Sequence, residues 1–130
     1  LVVWQSAPST ISGARFRPGT GPLDGSSGFV IAQAAGKTLG EPRVAFADGS
    51  YLVAWTANPG EAGTIGNPDV RAVEVSRQGV VGTPQTLVAN IAWPGIAIAS
   101  SGGTFVIPFA ADAGSGAASD FALKAVVFRP

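Results

Sequence analysis

The sequence predicts an all-β fold of antiparallel four-stranded meander repeats, arranged as part of a β-propeller, with a β-sandwich as the alternative. Three observations carry that prediction. A strand-like motif recurs: Leu1-Val2-Val3-Trp4 returns as Leu52-Val53-Ala54-Trp55, 51 residues later, and in degraded form as Val106-Ile107-Pro108-Phe109 after a further 54. A period near 50 residues belongs to propellers and solenoids, whose single repeats cannot bury their own apolar faces. The strand-forming runs are mostly continuous in apolar residues, the pattern of sheets covered on both sides, whereas a sandwich with one wet face would alternate. Finally, 18 Gly and 10 Pro are spread along 130 residues, and each disfavours helix wherever it falls.

The first repeat (residues 1–41) begins inside a second strand at Leu1. It continues through Ile11-Ser12-Gly13-Ala14-Arg15-Phe16-Arg17 and ends in Phe29-Val30-Ile31-Ala32-Gln33. The second (residues 42–93) is complete. Pro42-Arg43-Val44-Ala45-Phe46 is a first strand, and Asp48-Gly49 is a dipeptide that favours positive φ in a tight hairpin. Tyr51-Leu52-Val53-Ala54-Trp55 is rich in strand formers. A Gly/Pro/Asn loop over residues 56–68 leads to a third strand, Val70-Arg71-Ala72-Val73-Glu74-Val75, and after Gln78-Gly79 to a fourth, Gln85-Thr86-Leu87-Val88-Ala89. The third repeat (residues 94–130) aligns Pro94-Gly95-Ile96-Ala97-Ile98 with the first strand and Ser101-Gly102-Gly103 with the turn. Phe105 through Phe109 then align with the second strand, and Leu123-Lys124-Ala125-Val126-Val127-Phe128 with the third. The expected total is about ten strands, grouped three, four and three. Pro108 is expected to interrupt its strand, since Pro belongs at edges and bulges.

Apolar content of 46% supplies a core, while charged residues make up only 12% and balance at eight of each sign. There is no basic stripe for nucleic acid and no apolar run of membrane-spanning length. The chain opens inside one repeat and stops inside another, and it contains no Met. The expectation is a piece of a longer or processed chain, or one whose other repeats or further copies complete a ring of four to eight blades.

The segments Ile11-Ser12-Gly13-Ala14-Arg15, Gly21-Pro22-Leu23-Asp24, Gly28-Phe29-Val30-Ile31-Ala32, Pro42-Arg43-Val44-Ala45-Phe46 and Tyr51-Leu52-Val53-Ala54-Trp55 carry a resemblance. They are similar to β-propeller-like repeats of about 50 residues in large secreted or surface proteins of myxobacteria and related bacteria, and the likeness covers nearly the whole chain. The resemblance implies an extracellular or surface array and names no activity.

Histidine and cysteine are both absent, which removes Ser-His-Asp and Cys-His nucleophiles as well as ordinary zinc and copper sites. No phosphate-binding Gly-rich loop and no calcium loop are present, so no cofactor and no metal are expected. The carboxylates are Asp24, Glu41, Asp48, Glu61, Asp69, Glu74, Asp112 and Asp120. Asp24 and Asp48 precede Gly and read as turn residues. Asp69 and Asp120 stand just before third strands, where capping of loop amides competes with ligand binding. Arg15, Arg71 and Lys124 fall on third strands and read as a solvated rim or as partners for Glu74 and Asp69.

In an antiparallel meander the second and fourth strands finish at the same end, which here collects the loops over residues 56–68 and 110–119. Trp4, Trp55 and Phe109 close second strands there, and Trp93 follows a fourth strand. Trp4 and Trp55 read as repeat residues packed between sheets with the indole N–H on a loop carbonyl, or as part of a binding platform. Trp93 breaks the repeat, since its counterpart region is Gly40-Glu41. Trp93, Trp55, Asp69 and Asp120 are therefore the candidate ligand-binding residues. The expected function is a non-catalytic extracellular scaffold, adhesion or binding module that meets carbohydrate or a surface protein. A lectin-like propeller and the accessory domain of a secreted hydrolase are the alternatives.

Overall fold

Short strands joined by turns make up most of the described residues of the computed structural model, which describes residues 1–40, 42–58, 67–93, 95–112 and 121–130. The first sheet is β1 (Val2–Ala7), β2 (Thr10–Ala14) and β5 (Phe29–Gln33), in that order. Between β2 and β5 the chain makes a two-stranded hairpin of β3 (Phe16–Arg17) and β4 (Gly21–Pro22). The second sheet is the meander β6 (Arg43–Ala47), β7 (Ser50–Ala57), β8 (Asp69–Ser76) and β9 (Gln85–Val88). The third is β10 (Ala99–Ser101), β11 (Thr104–Asp112) and β12 (Phe121–Phe128). All pairings are antiparallel, no helix occurs among the described residues, and no sheet closes on itself. The three, four and three strands expected from the repeats are thus present, with the β3–β4 hairpin as an addition. The run Ile11 to Arg17 is not one strand, because the chain leaves the first sheet after Ala14.

Turn chemistry sets the register. Asp48, Gly49, Gly102 and Gly103 take φ of 44°, 92°, 53° and 75°, the geometry of a two-residue hairpin whose twist matches its strands. Ala47 therefore faces Ser50, and Ser101 faces Thr104. Counting back from the second turn corrects the expected first strand of the third repeat. Ala99, not Ile96 or Ile98, begins β10, and the counterpart of Val44 is Ile98. Ile96 reaches β11 only through an isolated bridge to Phe109. Pro108 does not interrupt β11 either, for β11 runs through it and pairs with β12 across it, Pro108 opposite Ala125. The ladder that stops short is the one to β10, which ends at Ala99 opposite Val106.

Packing follows from strand alternation. Along β7, Val53, Trp55 and Ala57 point to one side and Leu52 and Ala54 to the other, and all five are at most 2% exposed. The first group packs with Ile11, Ile31 and Leu39 of the first repeat. The second packs with Ile96, Phe105, Ile107 and Phe109 of the third. The second sheet is therefore covered on both faces, as its continuous apolar runs require. Each fully buried large apolar side chain here contributes roughly 1.5–3 kcal/mol.

The connections between sheets repeat as closely as the strands do. Leu39, after the first sheet, is buried and donates its amide to the Pro8 carbonyl (2.8 Å), and Gly40 donates to Thr56. Ile91, after the second sheet, is buried and donates to the Pro68 carbonyl (2.8 Å), and Ala92 donates to Ala110 (3.0 Å). Each linker thus holds a loop of the sheet behind it and a second strand of the sheet ahead.

Candidate binding surface

The end of the second sheet where β7 and β9 finish and β8 starts is built around Asp69. This residue opens β8 opposite Ala57, and its Oδ1 accepts the Asn90 amide (3.2 Å). Asn90 stands at φ 56°, a left-handed conformation that Asn accepts better than most residues. The Asp69 carboxylate thereby fixes the bend by which the chain leaves β9. Ile91 and Ala92 are then pinned by the linker bonds described above. Trp93 follows directly and is 62% exposed, the most exposed of the three tryptophans. Its backbone neighbours are anchored while its side chain stays largely in solvent. Counting along the two linkers, Trp93 occupies the place of Glu41, so it departs from the repeat as the sequence indicates.

Trp55 lies near the same end in a different environment. It is 1% exposed, faces the first sheet, and offers no surface for stacking. The sequence predicts its indole N–H on a loop carbonyl. Among the described residues Nε1 has no hydrogen-bond partner, nor has Nε of Arg71, the residue directly opposite on β8. Leaving a buried donor unpaired costs about 1–3 kcal/mol, so Trp55 stabilises by packing alone.

The expected equivalence of Asp69 and Asp120 fails in the register. Ala57 faces Asp69 in the second sheet, and its counterpart Ala111 faces Ala122 in the third. Ala122 therefore holds the place of Asp69, and Asp120 itself lies outside the described residues.

The sequence missed the role of Asp24, which is not a simple turn residue. The β3–β4 hairpin folds back so that Leu23 donates its amide to the Arg15 carbonyl, which sets Asp24 beside Arg15. Asp24 Oδ2 accepts the Arg15 amide (2.7 Å), and the carboxylate forms an ion pair with the Arg15 guanidinium. The guanidinium hydrogen bond, more than any other cause, holds the Asp24 carboxyl below its usual range and raises Arg15 in return. Arg15 Nη1 also donates to the Arg77 carbonyl (3.2 Å), tying the first repeat to the turn after β8. The expected partners Glu74 and Asp69 are engaged elsewhere, Glu74 accepting from the Ser50 hydroxyl at 3.0 Å. A signal was available in the acid–base pair bracketing a hairpin-length insert with Gly-Pro at its far side.

Shallow cavities among the described residues lie away from Trp93. One of about 360 Å³ lies at the hairpin end between the second and third sheets, with Asp48, Ser50, Gly103 and Arg129 in its wall. Another, of about 110 Å³, is lined by Glu74, Gln85 and Phe128 among others. No group of metal-ligating side chains occurs among the described residues, and no helix is long and apolar enough to cross a membrane. Comparison with protein-family models, with curated proteins and with solved structures returns no match.

Proposed function

We propose that this chain is a non-catalytic binding module within a propeller-like repeat protein, and that it meets its ligand through Trp93. The observation that carries the reading is the contrast between two tryptophans. Trp55 is spent on the core at 1% exposure, and Trp93 stands 62% exposed on a backbone held by hydrogen bonds on either side of Ile91. A large amphipathic ring on a rigid mount is suited to stacking against a sugar ring or an apolar peptide side chain. β7 and β11 finish, and β8 and β12 start, toward the same end as Trp93, and the end of a rigid sheet scaffold is where recognition residues are commonly presented. An extracellular or surface setting rests on the resemblance of the repeats. Stacking a series of three sheets that each bury one face on the next supports the propeller-like arrangement over a two-sheet sandwich.

The test is a glycan and peptide panel read by intrinsic fluorescence, with Trp93→Ala beside the native chain. Binding that quenches or shifts Trp emission in the native chain and disappears in the variant, with the thermal midpoint unchanged, is the expected result. A ligand bound equally well by the variant would place recognition elsewhere.

A further inference from the structure

Every sheet turns the same side to the same neighbour. In the second sheet, Val53 and Trp55 face back toward the first, while Leu52 and Ala54 face forward toward the third. In the third sheet, Phe105, Ile107 and Phe109, counterparts of Tyr51, Val53 and Trp55, also face back. In the first sheet, Leu1 and Val3, counterparts of Leu52 and Ala54, face forward. The stack therefore has a direction, and its two end faces are of opposite kinds.

The back of the first sheet carries Val2, Trp4 and Val30 by strand alternation, with Val2 50% and Val30 55% exposed. The front of the third sheet carries Val106, Leu123 and Val127, with Leu123 83% exposed. Trp4 is the informative residue. It occupies the place of Trp55 and is half-buried, and its ring lies along its own sheet. A Cβ on Gly28 would come within 2.8 Å of Trp4 Cη2, so the glycine leaves room for the indole to lie flat. The same position is covered by the preceding sheet at Trp55 and at Phe109, whereas at Trp4 no sheet among the described residues provides that cover.

We infer that a second copy of this chain supplies it, the front of one copy's third sheet seating on the back of the next copy's first sheet. The contact would reproduce the interface already formed twice within the chain, between the first and second sheets and between the second and third. Because the two faces differ, the association is heterologous, head to tail, and it closes into a ring or extends as a filament according to the rotation per copy. This does not depend on what Trp93 binds.

The test uses the native 130-residue chain in sedimentation velocity from about 1 to 100 μM, the range in which modest interfaces show themselves. Val2→Lys disables the back face and Leu123→Lys the front face. Both sites are exposed enough that folding should be kept, which far-UV circular dichroism checks. The native chain is expected to sediment well above its 13.0 kDa monomer, with each variant alone reduced to the monomer. Mixed, the two variants retain one good back and one good front, and should form a two-chain complex and nothing larger. Trp93→Ala should assemble like the native chain. A native chain that stays monomeric at the highest concentration overturns the inference. So does a V2K variant that still self-associates, which would mean front-to-front pairing, or a mixture that forms no complex. Should either lysine variant lose its fold, Val30→Lys and Val127→Lys probe the same two faces.

Discussion

Gly28 and Gly36 share a left-handed backbone, φ 63° and 72°, and differ in what surrounds them. Nothing lies within 4 Å of a Cβ added at Gly36, whereas at Gly28 the added atom meets Trp4 and the Gly13 carbonyl. Gly36→Ala should cost about 1 kcal/mol, the strain of the backbone alone. Gly28→Ala should cost about 1–3 kcal/mol more, for the overpacking it adds. Urea denaturation of the two variants measures the difference. The Arg15–Asp24 pair makes a second prediction at this scale. Folding lowers the Asp24 pKa, so its contribution is complete above the unfolded carboxyl value of about 3.9 and is lost as the pH falls through the lowered folded value. Asp24→Asn should therefore be less stable than the native chain at pH 7, and the gap should narrow steadily below about pH 4. The pair was hidden in the sequence because nothing local says that the Arg15 to Asp24 segment doubles back. The departure of Trp93 from the repeat was legible, since its counterpart region Gly40-Glu41 has no aromatic, whereas its exposure was not. Trp55 as a ligand contact was not, because a strand-end tryptophan reads the same whether a neighbouring sheet covers it or not.

The hairpin turns show how an element obtains its register and where it tolerates change. At Gly102 an added side chain meets nothing within 4 Å, and φ 53° is a conformation that Asn accepts. Gly102→Asn should stabilise by about 0.4–1 kcal/mol through the unfolded chain, which loses freedom that Gly has. Gly103 has no such room, because the Asp48 side chain occupies the space, so any residue larger than Gly there should destabilise. Thermal unfolding of the two variants separates these signs. The turns were also the part of the sequence that could have placed β10. Its apolar residues Ile96 and Ile98 drew the strand two residues too early. The two-residue turn, counted from Thr104, puts it at Ala99–Ser101, and a strand of Ala and Ser has little hydrophobic pattern to reveal it.

For the whole molecule, the repeat spacing and the unbroken apolar runs were enough to read three stacked antiparallel units and a middle one covered on both sides. They could not show whether the end faces are covered, because a bare face and a buried face have the same composition here. The second sheet contributes to both apolar clusters, so it couples the other two. In repeat architectures, stability is a sum over units and their nearest-neighbour contacts. With only three units and two shared clusters, unfolding should be a single transition whose calorimetric and van't Hoff enthalpies agree. A scan with three separable steps would contradict that coupling. Truncating Trp55 to Ala, which opens a cavity between the first and second sheets, should lower the one midpoint by the equivalent of about 3–5 kcal/mol rather than releasing the first sheet alone.

The linkers after β5 and β9 carry a final consequence, in the traffic of protons with solvent. Loop amides ordinarily exchange within the dead time of the experiment, and strand amides in a core exchange through larger openings. Leu39, Gly40, Ile91 and Ala92 lie outside the strands of the sheets, yet Leu39 and Ile91 donate to a loop carbonyl of the unit behind and Gly40 and Ala92 to a strand of the unit ahead. Their deuterium uptake should be slow, in step with the interior of β7 and β8, since each linker is held to the sheets on both sides of it. A peptide map that finds slow loops at these two places and nowhere else would mark the joints of the repeat directly.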